Sequence, residues 1–154
     1  MNAHLSRLAF AAAVAAAVLA ARASDANAPA GHYTIGAGAR AGTVYDTKSK
    51  LTWQQAAPAA TYTWAGAKTY CTALDLDGTG WRLPTEKELF SLVDRTQTAP
   101  PYIDSTAFPG ATSSYFWSST LAARSPSYAG CVDFGTGETF DAPVSSTAYV
   151  RCVR

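Results

Sequence analysis

The chain has little charge and little histidine. Only 15% of its 154 residues are charged, and 12 Lys and Arg stand against 11 Asp and Glu. A near-neutral chain offers no basic patch for nucleic acid or for an anionic membrane surface. The only histidines are His4 and His32, so zinc sites with paired histidines and Ser-His-Asp or Cys-His catalysis cannot readily be built. We therefore expect no nucleic-acid partner and no enzyme activity of these kinds.

Long apolar runs are absent except near the N-terminus, where 14 apolar residues extend from Leu8 to Ala21. Arg7 precedes this run, and Ala21-Arg22-Ala23 supplies a small-x-small cleavage site. Together these features predict a secretory signal peptide over residues 1–23. The run is shorter than the roughly 20 residues that span a bilayer, although an uncleaved anchor is the alternative. We expect an exported protein, periplasmic or extracellular, with no stable membrane insertion after cleavage.

Cleavage after Ala23 changes the composition of what remains. Arg7, Arg22 and His4 leave with the signal, so the mature chain has a slight acidic excess and keeps only His32. His32 lies in an Ala- and Gly-rich stretch, residues 24–41, which is typical of a flexible linker. Residues 42–154 are long enough for one globular domain with a core of its own.

The first half of this domain predicts a hairpin followed by two helices. Residues 43–46 and 51–54 are β-prone runs on either side of the turn residues 47–50. Thr63 can cap a helix whose buried face carries Trp64, Ala67, Cys71 and Leu74. Thr85 and Glu88 have the spacing of a capping box and open a second helix, whose buried face carries Leu89, Leu92 and Val93.

The second half predicts a long ordered loop and then strands. Residues 94–114 show no hydrophobic period, so we expect a loop. Strands are expected at residues 115–118, 130–134, 138–141 and 149–153, with a turn at 135–137. Residues 131–134 do not alternate, which is typical of a central strand covered on both faces. The predicted class is α+β, with two helices packed on a small, mostly antiparallel sheet with long loops.

One segment comes close to a calcium-binding loop. Its oxygen-bearing residues are Asp75, Asp77, Thr79 and Glu86, at positions 1, 3, 5 and 12 of the pattern. However, Arg82 stands where an apolar residue is wanted, and Pro84 stands where the exiting helix should be running. Calcium therefore stays an option beside the alternative that Glu86 only favours a helix N-terminus, and no other cofactor is expected.

Aromatic and hydroxyl side chains beside the polar loops are the candidates for ligand contact. They are Tyr102, Tyr115, Ser118, Ser119 and Tyr128. Tyrosine rings offer stacking faces with a polar edge, and serine hydroxyls offer adaptable hydrogen bonds. The same composition is equally typical of an ordinary loop of a secreted protein.

Several runs of sequence come in the order of a known family. They are Gly42 to Gln54, Ala67 to Cys71, Trp81 to Leu89, Tyr102-Ile-Asp104, Phe108-Pro109, Phe116 to Thr120, Val132-Asp-Phe134 and Tyr149 to Arg154. This order resembles the C-terminal domain of the Legionella collagen-like protein, over about residues 42–154. Trp81-Arg-Leu-Pro and Tyr149-Val-Arg-Cys-Val-Arg are its most specific parts.

The resemblance implies a C-type-lectin-like fold in which a disulfide often ties the first helix to the last strand. Cys71 and Cys152 occupy those places, and secretion permits the bond. Cys131 is then left over, where family members usually carry an aromatic residue. It can be a buried free thiol, a partner in an intermolecular disulfide, or a reactive thiol.

The function implied by the resemblance is a non-enzymatic binding or adhesion module. The loop face from Tyr102 to Tyr128 would meet a glycan or an extracellular protein, and a homo-oligomer is expected by analogy with the named relative. That relative attaches to sulfated glycosaminoglycans, and the slight acidity of this chain argues against the same ligand. Two alternatives stay open. One is an enzyme like the formylglycine-generating enzymes, which share the fold but use closely spaced cysteines. The other is a diversified receptor-binding protein of a retroelement.

Overall fold

The computed structural model describes residues 32–154, so the predicted signal peptide and residues 24–31 of the predicted linker lie outside the described residues. The strands are β1 (Tyr33–Ile35), β2 (Thr43–Asp46), β3 (Thr52–Gln54), β4 (Tyr62–Thr63), β5 (Tyr115–Leu121), β6 (Tyr128–Asp133), β7 (Glu138–Pro143) and β8 (Thr147–Ala148). The helices are α1 (Trp64–Ala73) and α2 (Glu86–Phe90), with a 3-10 turn at Gly38–Arg40. Three small sheets, ordered β1-β2-β3, β4-β8 and β5-β6-β7, are all antiparallel. The α+β class is confirmed.

The β2–β3 hairpin forms as predicted, with Val44 opposite Trp53 and both side chains buried. Asp46 shapes its turn, because its Oδ1 accepts from the Lys48 amide at 2.8 Å and its Oδ2 accepts from the Ser49 hydroxyl at 2.7 Å. Lys50 closes the turn at a φ of 64°, in the left-handed region.

Part of the predicted flexible linker is instead ordered structure. Tyr33–Ile35 pairs with β2, with Tyr33 opposite Asp46, and residues 38–40 form the 3-10 turn. Tyr33 also packs edge-on against Phe108, with ring centroids 5.3 Å apart. The Ala and Gly content predicts a linker, but strand pairing with β2 and the packing of Tyr33 hold this segment to the domain.

Both helices begin where the capping residues predicted. The Thr63 hydroxyl accepts from the Gly66 amide, and Thr85 and Glu88 form a complete capping box. Ala67 and Cys71 are buried on α1, as expected from their spacing. α2 ends at Phe90, so Leu92 is buried from the chain that follows the helix rather than from the helix itself.

The β5-β6-β7 sheet lies between two hydrophobic clusters. One contains Leu89, Phe116 and Val132, and the other contains Cys71, Trp117 and Cys131. Side chains of β6 therefore enter the core from both faces, which confirms the prediction for residues 131–134.

The strand predicted at residues 149–153 is not a continuous strand. Tyr149 forms a parallel bridge with Phe116, and Val153 bridges both Trp53 and Arg82. The segment changes partners along its length because it fills the space between three elements. It joins β3 to the Arg82 segment, where the Arg82 amide donates to the Val153 carbonyl at 2.9 Å.

None of the helices in residues 32–154 has the length and apolar character needed to cross a membrane.

Candidate ligand-binding surface

A bulge in β5 connects the central sheet to both helix N-termini. Pairing with β6 shifts between Trp117 and Leu121, so residues 118–120 stand out of the regular ladder. The Ser118 carbonyl accepts from the Trp64 indole at 2.8 Å, the Ser119 amide donates to the Pro84 carbonyl at 2.7 Å, and the Thr120 hydroxyl accepts from the Glu86 amide at 3.0 Å. The hydroxyl-rich run therefore joins structural elements through two backbone groups and the Thr120 hydroxyl.

Ser118 is not a surface residue, which corrects its place among the predicted ligand contacts. Its side chain is fully buried, and its Oγ accepts from the Thr120 amide at 3.2 Å. The bulge turns Ser118 inward, and a sequence pattern of consecutive hydroxyl residues cannot show that.

The four other predicted contacts do not form one face. Tyr115 pairs with Asp133 at one end of β6, whereas Tyr128, which is 41% exposed, begins the strand at the opposite end. Tyr102 is half-buried near the 135–137 turn, where its amide donates to the Phe134 carbonyl at 2.7 Å. Ser119 is half-buried beside the helix N-termini.

The residues of the predicted calcium loop are not assembled into a metal site. The Asp77 carboxylate pairs with Arg154 at 2.7 Å. The Glu86 carboxylate instead lies directly against Gly130. A side chain on residue 130 would place its Cβ only 2.0 Å from Oε2 of Glu86. Asp75 and Thr79 are exposed. Within residues 32–154, no group of three or more His, Cys, Asp or Glu side chains could hold a metal ion.

A groove beside α1 is the candidate site that the structure adds. We call it the α1 groove; it has a volume of about 420 Å³ and is lined by Lys68, Thr72, Arg82, Leu83, Thr85 and Ser119. Lys68 and Thr72 stand one turn apart on the exposed face of α1, so both reach the same wall. The bridge between Arg82 and Val153 holds the opposite wall, and the bulge supplies Ser119.

The charges of the α1 groove are only partly compensated. Arg82 donates two parallel hydrogen bonds to the Glu88 carboxylate, at 2.8 and 2.7 Å. This contact, with the cap amide of Thr85, holds the pKa of Glu88 near 2, although burial opposes the shift. Lys68 stacks over the Trp64 ring at 4.5 Å and has no carboxylate partner among the described residues. The groove thus presents a mostly apolar lining with the ammonium of Lys68 beside it. Of its three hydroxyls, that of Thr72 donates to the Lys68 and Thr69 carbonyls, and that of Thr85 accepts from the Glu88 amide.

A second groove of about 420 Å³ lies on the outer face of the first sheet. Its floor is the cross-strand row Thr34, Tyr45 and Thr52, and the Asp77–Arg154 ion pair forms one wall. The guanidinium of Arg154 is already engaged by Asp77 and lies 4.9 Å from the Trp81 ring. Arg40 also lines this groove, and within residues 32–154 it has no carboxylate partner.

Two arginines at the C-terminal end have different environments that the sequence does not distinguish. Arg154 is partly exposed, whereas Arg151 is buried and donates to the carbonyls of Gln54, at 2.7 Å, and Gln55. Its guanidinium lies 4.6 Å from the Phe108 ring centroid. Burial lowers the pKa of Arg151 to about 10, so the group is still charged at neutral pH.

The three cysteines are now assigned. Cys71 and Cys152 form a disulfide, which confirms the pairing that the resemblance implied. Cys131 is a free, buried thiol, the first of the three readings of this residue. Burial, and then the nearby carboxylates of Asp141 and Glu86, raise its pKa to about 12. A thiol in this environment is a poor nucleophile at neutral pH.

Comparison with known protein families assigns the chain to one of them. The family described as the Lcl C-terminal domain matches residues 42–154, which is most of the sequence. The chain therefore belongs to the Lcl C-terminal domain family. A comparison with curated proteins gives no match.

Proposed function

We propose that this domain is a non-enzymatic binding or adhesion module of an exported protein, and that its fold is C-type-lectin-like. Membership of the Lcl C-terminal domain family supports the proposal. So does the topology, because a disulfide ties the first helix to the C-terminal segment, which pairs with an N-terminal strand. Such a disulfide persists in the periplasm or outside the cell, which is where we place the protein.

The observation that carries the proposal is the α1 groove. A mostly apolar lining with hydroxyl groups and one ammonium beside it suits a sugar ring, which has apolar faces and hydroxyl groups, and a glycan is the ligand class we favour. An extracellular protein that presents similar polar groups is the second ligand class. Since Arg82 is neutralised by Glu88, the single free charge of Lys68 does not require a highly anionic ligand.

The test is binding of the purified protein to an array of neutral and acidic glycans, followed by calorimetry on the best ligand. Lys68→Ala and Thr72→Ala should each weaken binding, the first by about tenfold, which corresponds to about 1.4 kcal/mol. Lys48→Ala, in the exposed β2–β3 turn, is the matched control and should bind normally.

Two results would count against the proposal. Equal loss with Lys48→Ala would show non-specific charge attraction rather than a site. Turnover of a substrate by protein that retains no ligand would show an enzyme. Sedimentation of the same samples tests the further expectation that the protein forms a homo-oligomer. An oligomer would carry one groove per copy and would bind a multivalent ligand with higher avidity.

A further inference from the structure

β7 is the outermost strand of the central sheet, and β6 is the only strand that pairs with it among the described residues. It is six residues long, and its first four residues, 138–141, are all exposed. An edge of this length leaves backbone donors and acceptors available to another extended chain.

The hydrogen-bond alternation defines which groups are available. The Val144 amide donates to the Ser127 carbonyl at 2.9 Å, so these residues form a hydrogen-bonded pair. With a period of two, the backbone groups of Glu138, Phe140 and Ala142 then point towards β6. The backbone groups of Thr139 and Asp141 point away from the sheet, at its open edge.

Carboxylates line this edge on both faces. Glu138 stands opposite Asp133, and Asp141 stands opposite Gly130, on which the Glu86 carboxylate lies. Burial raises the pKa of Glu86, and the neighbouring Asp141 raises it further, which shows how closely the negative charges approach. Arg95 donates to the Gly137 carbonyl at the turn.

An aromatic side chain completes the surface. Phe140 is 42% exposed, and its ring packs edge-on against Tyr115 at 5.3 Å. An added strand would place one of its apolar side chains beside this pair, on the face opposite Asp141.

We propose that the outer edge of β7 is a docking site for an extended basic peptide segment of a partner protein, which joins the sheet as a fourth strand. Pairing through backbone hydrogen bonds, with side chains giving selectivity, is an established mode of peptide binding. The negative charge of this edge determines which kind of partner can pair with it. A second copy of this chain that paired β7 with β7 would bring acidic residues against acidic residues, which is unfavourable. Lys or Arg side chains would instead meet Glu138, Asp141 and Glu86.

The probe is a fluorescein-labelled octapeptide of alternating Lys and Val, titrated against the full chain by fluorescence anisotropy. A Glu–Val peptide of equal length tests charge. A Lys–Val peptide with N-methyl groups on alternate amides keeps the charge but cannot pair as a strand. We expect the Lys–Val peptide to bind at least tenfold more tightly than either.

Thr139→Pro removes an outward-facing amide while leaving the β6–β7 hydrogen bonds in place, and it should weaken binding at least tenfold. Asp141→Asn should weaken it less. Lys68→Ala should leave it unchanged, which separates this site from the α1 groove. Equal binding of the N-methylated peptide would overturn the proposal, as would no binding of the Lys–Val peptide. Self-association that Thr139→Pro abolishes would assign the edge to a second copy and overturn it too.

Discussion

Arg151 is a buried cation whose hydrogen bonds reach Gln54, 97 residues away in sequence. Replacing it by Met keeps much of the side-chain volume but leaves two carbonyls without a donor. Unpaired buried acceptors cost about 1–3 kcal/mol each, so Arg151→Met should lower the free energy of unfolding by about 2–6 kcal/mol. Urea titration measures this. Arg124→Met, at an exposed position, should change it by less than about 0.5 kcal/mol, and equal effects would contradict the role given to Arg151.

Cys131 should be protected from alkylation in the folded protein, because its thiol is buried and its pKa is raised to about 12. Iodoacetamide at pH 8 should add no label to native protein and one label after denaturation without reductant. Intact mass gives the count. Rapid labelling of the native protein would show that the thiol is accessible.

Glu88 makes the folding stability of the protein depend on pH. Its pKa falls from 4.5 to about 2 on folding, chiefly through its hydrogen bonds with Arg82. A carboxylate with a lowered pKa stabilises the fold above pH 4.5, and this stabilisation is lost as the pH falls from 4.5 towards 2. The melting temperature of the wild-type protein should fall as the pH is lowered across this window, and the melting temperature of Glu88→Gln should fall less. If plots of melting temperature against pH are parallel for the two proteins, Glu88 does not contribute to this dependence on pH.

At the scale of elements, the β5 bulge is the feature that positions α2. Thr120→Val is nearly isosteric and removes the hydroxyl that accepts from the Glu86 amide, so it should cost about 1 kcal/mol of unfolding free energy. Thr112→Val, at an exposed loop position, is the matched control. If the two variants unfold alike in urea, the bulge contact contributes nothing measurable.

Elements specified by local chemistry could be predicted from sequence. Thr63, the Thr85–Glu88 capping box and the 47–50 turn act on residues within four positions, and all three appear as expected. β1, the bulge and the divided C-terminal segment could not be predicted, because each depends on a distant partner. Ser118 is the clearest case, since only the bulge turns its side chain into the core.

The same limit applied to the candidate site. The α1 groove joins Lys68, Arg82 and Ser119, which are far apart in sequence and meet only through the disulfide-linked fold. The predicted contacts at Tyr102, Tyr115 and Tyr128 came from one stretch of sequence, but that stretch spreads over opposite ends of the sheet. Proximity in sequence was therefore a poor guide to a shared surface.

At the scale of the whole molecule, the Cys71–Cys152 disulfide closes a loop with a sequence separation of 81. In the chain-entropy model such a loop is worth about 4.5 kcal/mol. The double variant Cys71→Ala/Cys152→Ala should therefore lose about that much unfolding free energy, measured by urea titration. Cys131→Ala is the single-cysteine comparison, and it should lose only the packing of a small side chain. A loss below about 1 kcal/mol in the double variant would contradict the prediction.

The partners of residues 152–154 have a consequence for the order of events during synthesis. The Thr52 and Gln54 amides donate to the carbonyls of Arg154 and Cys152, so a strand made early waits for a segment made about a hundred residues later. The outer hydrogen bonds of β3, the pairing of the Arg82 segment and the disulfide can form only when residues 152–154 have emerged from the ribosome. Until then, β3 and the Arg82 segment lack these backbone partners, and Cys71 lacks Cys152.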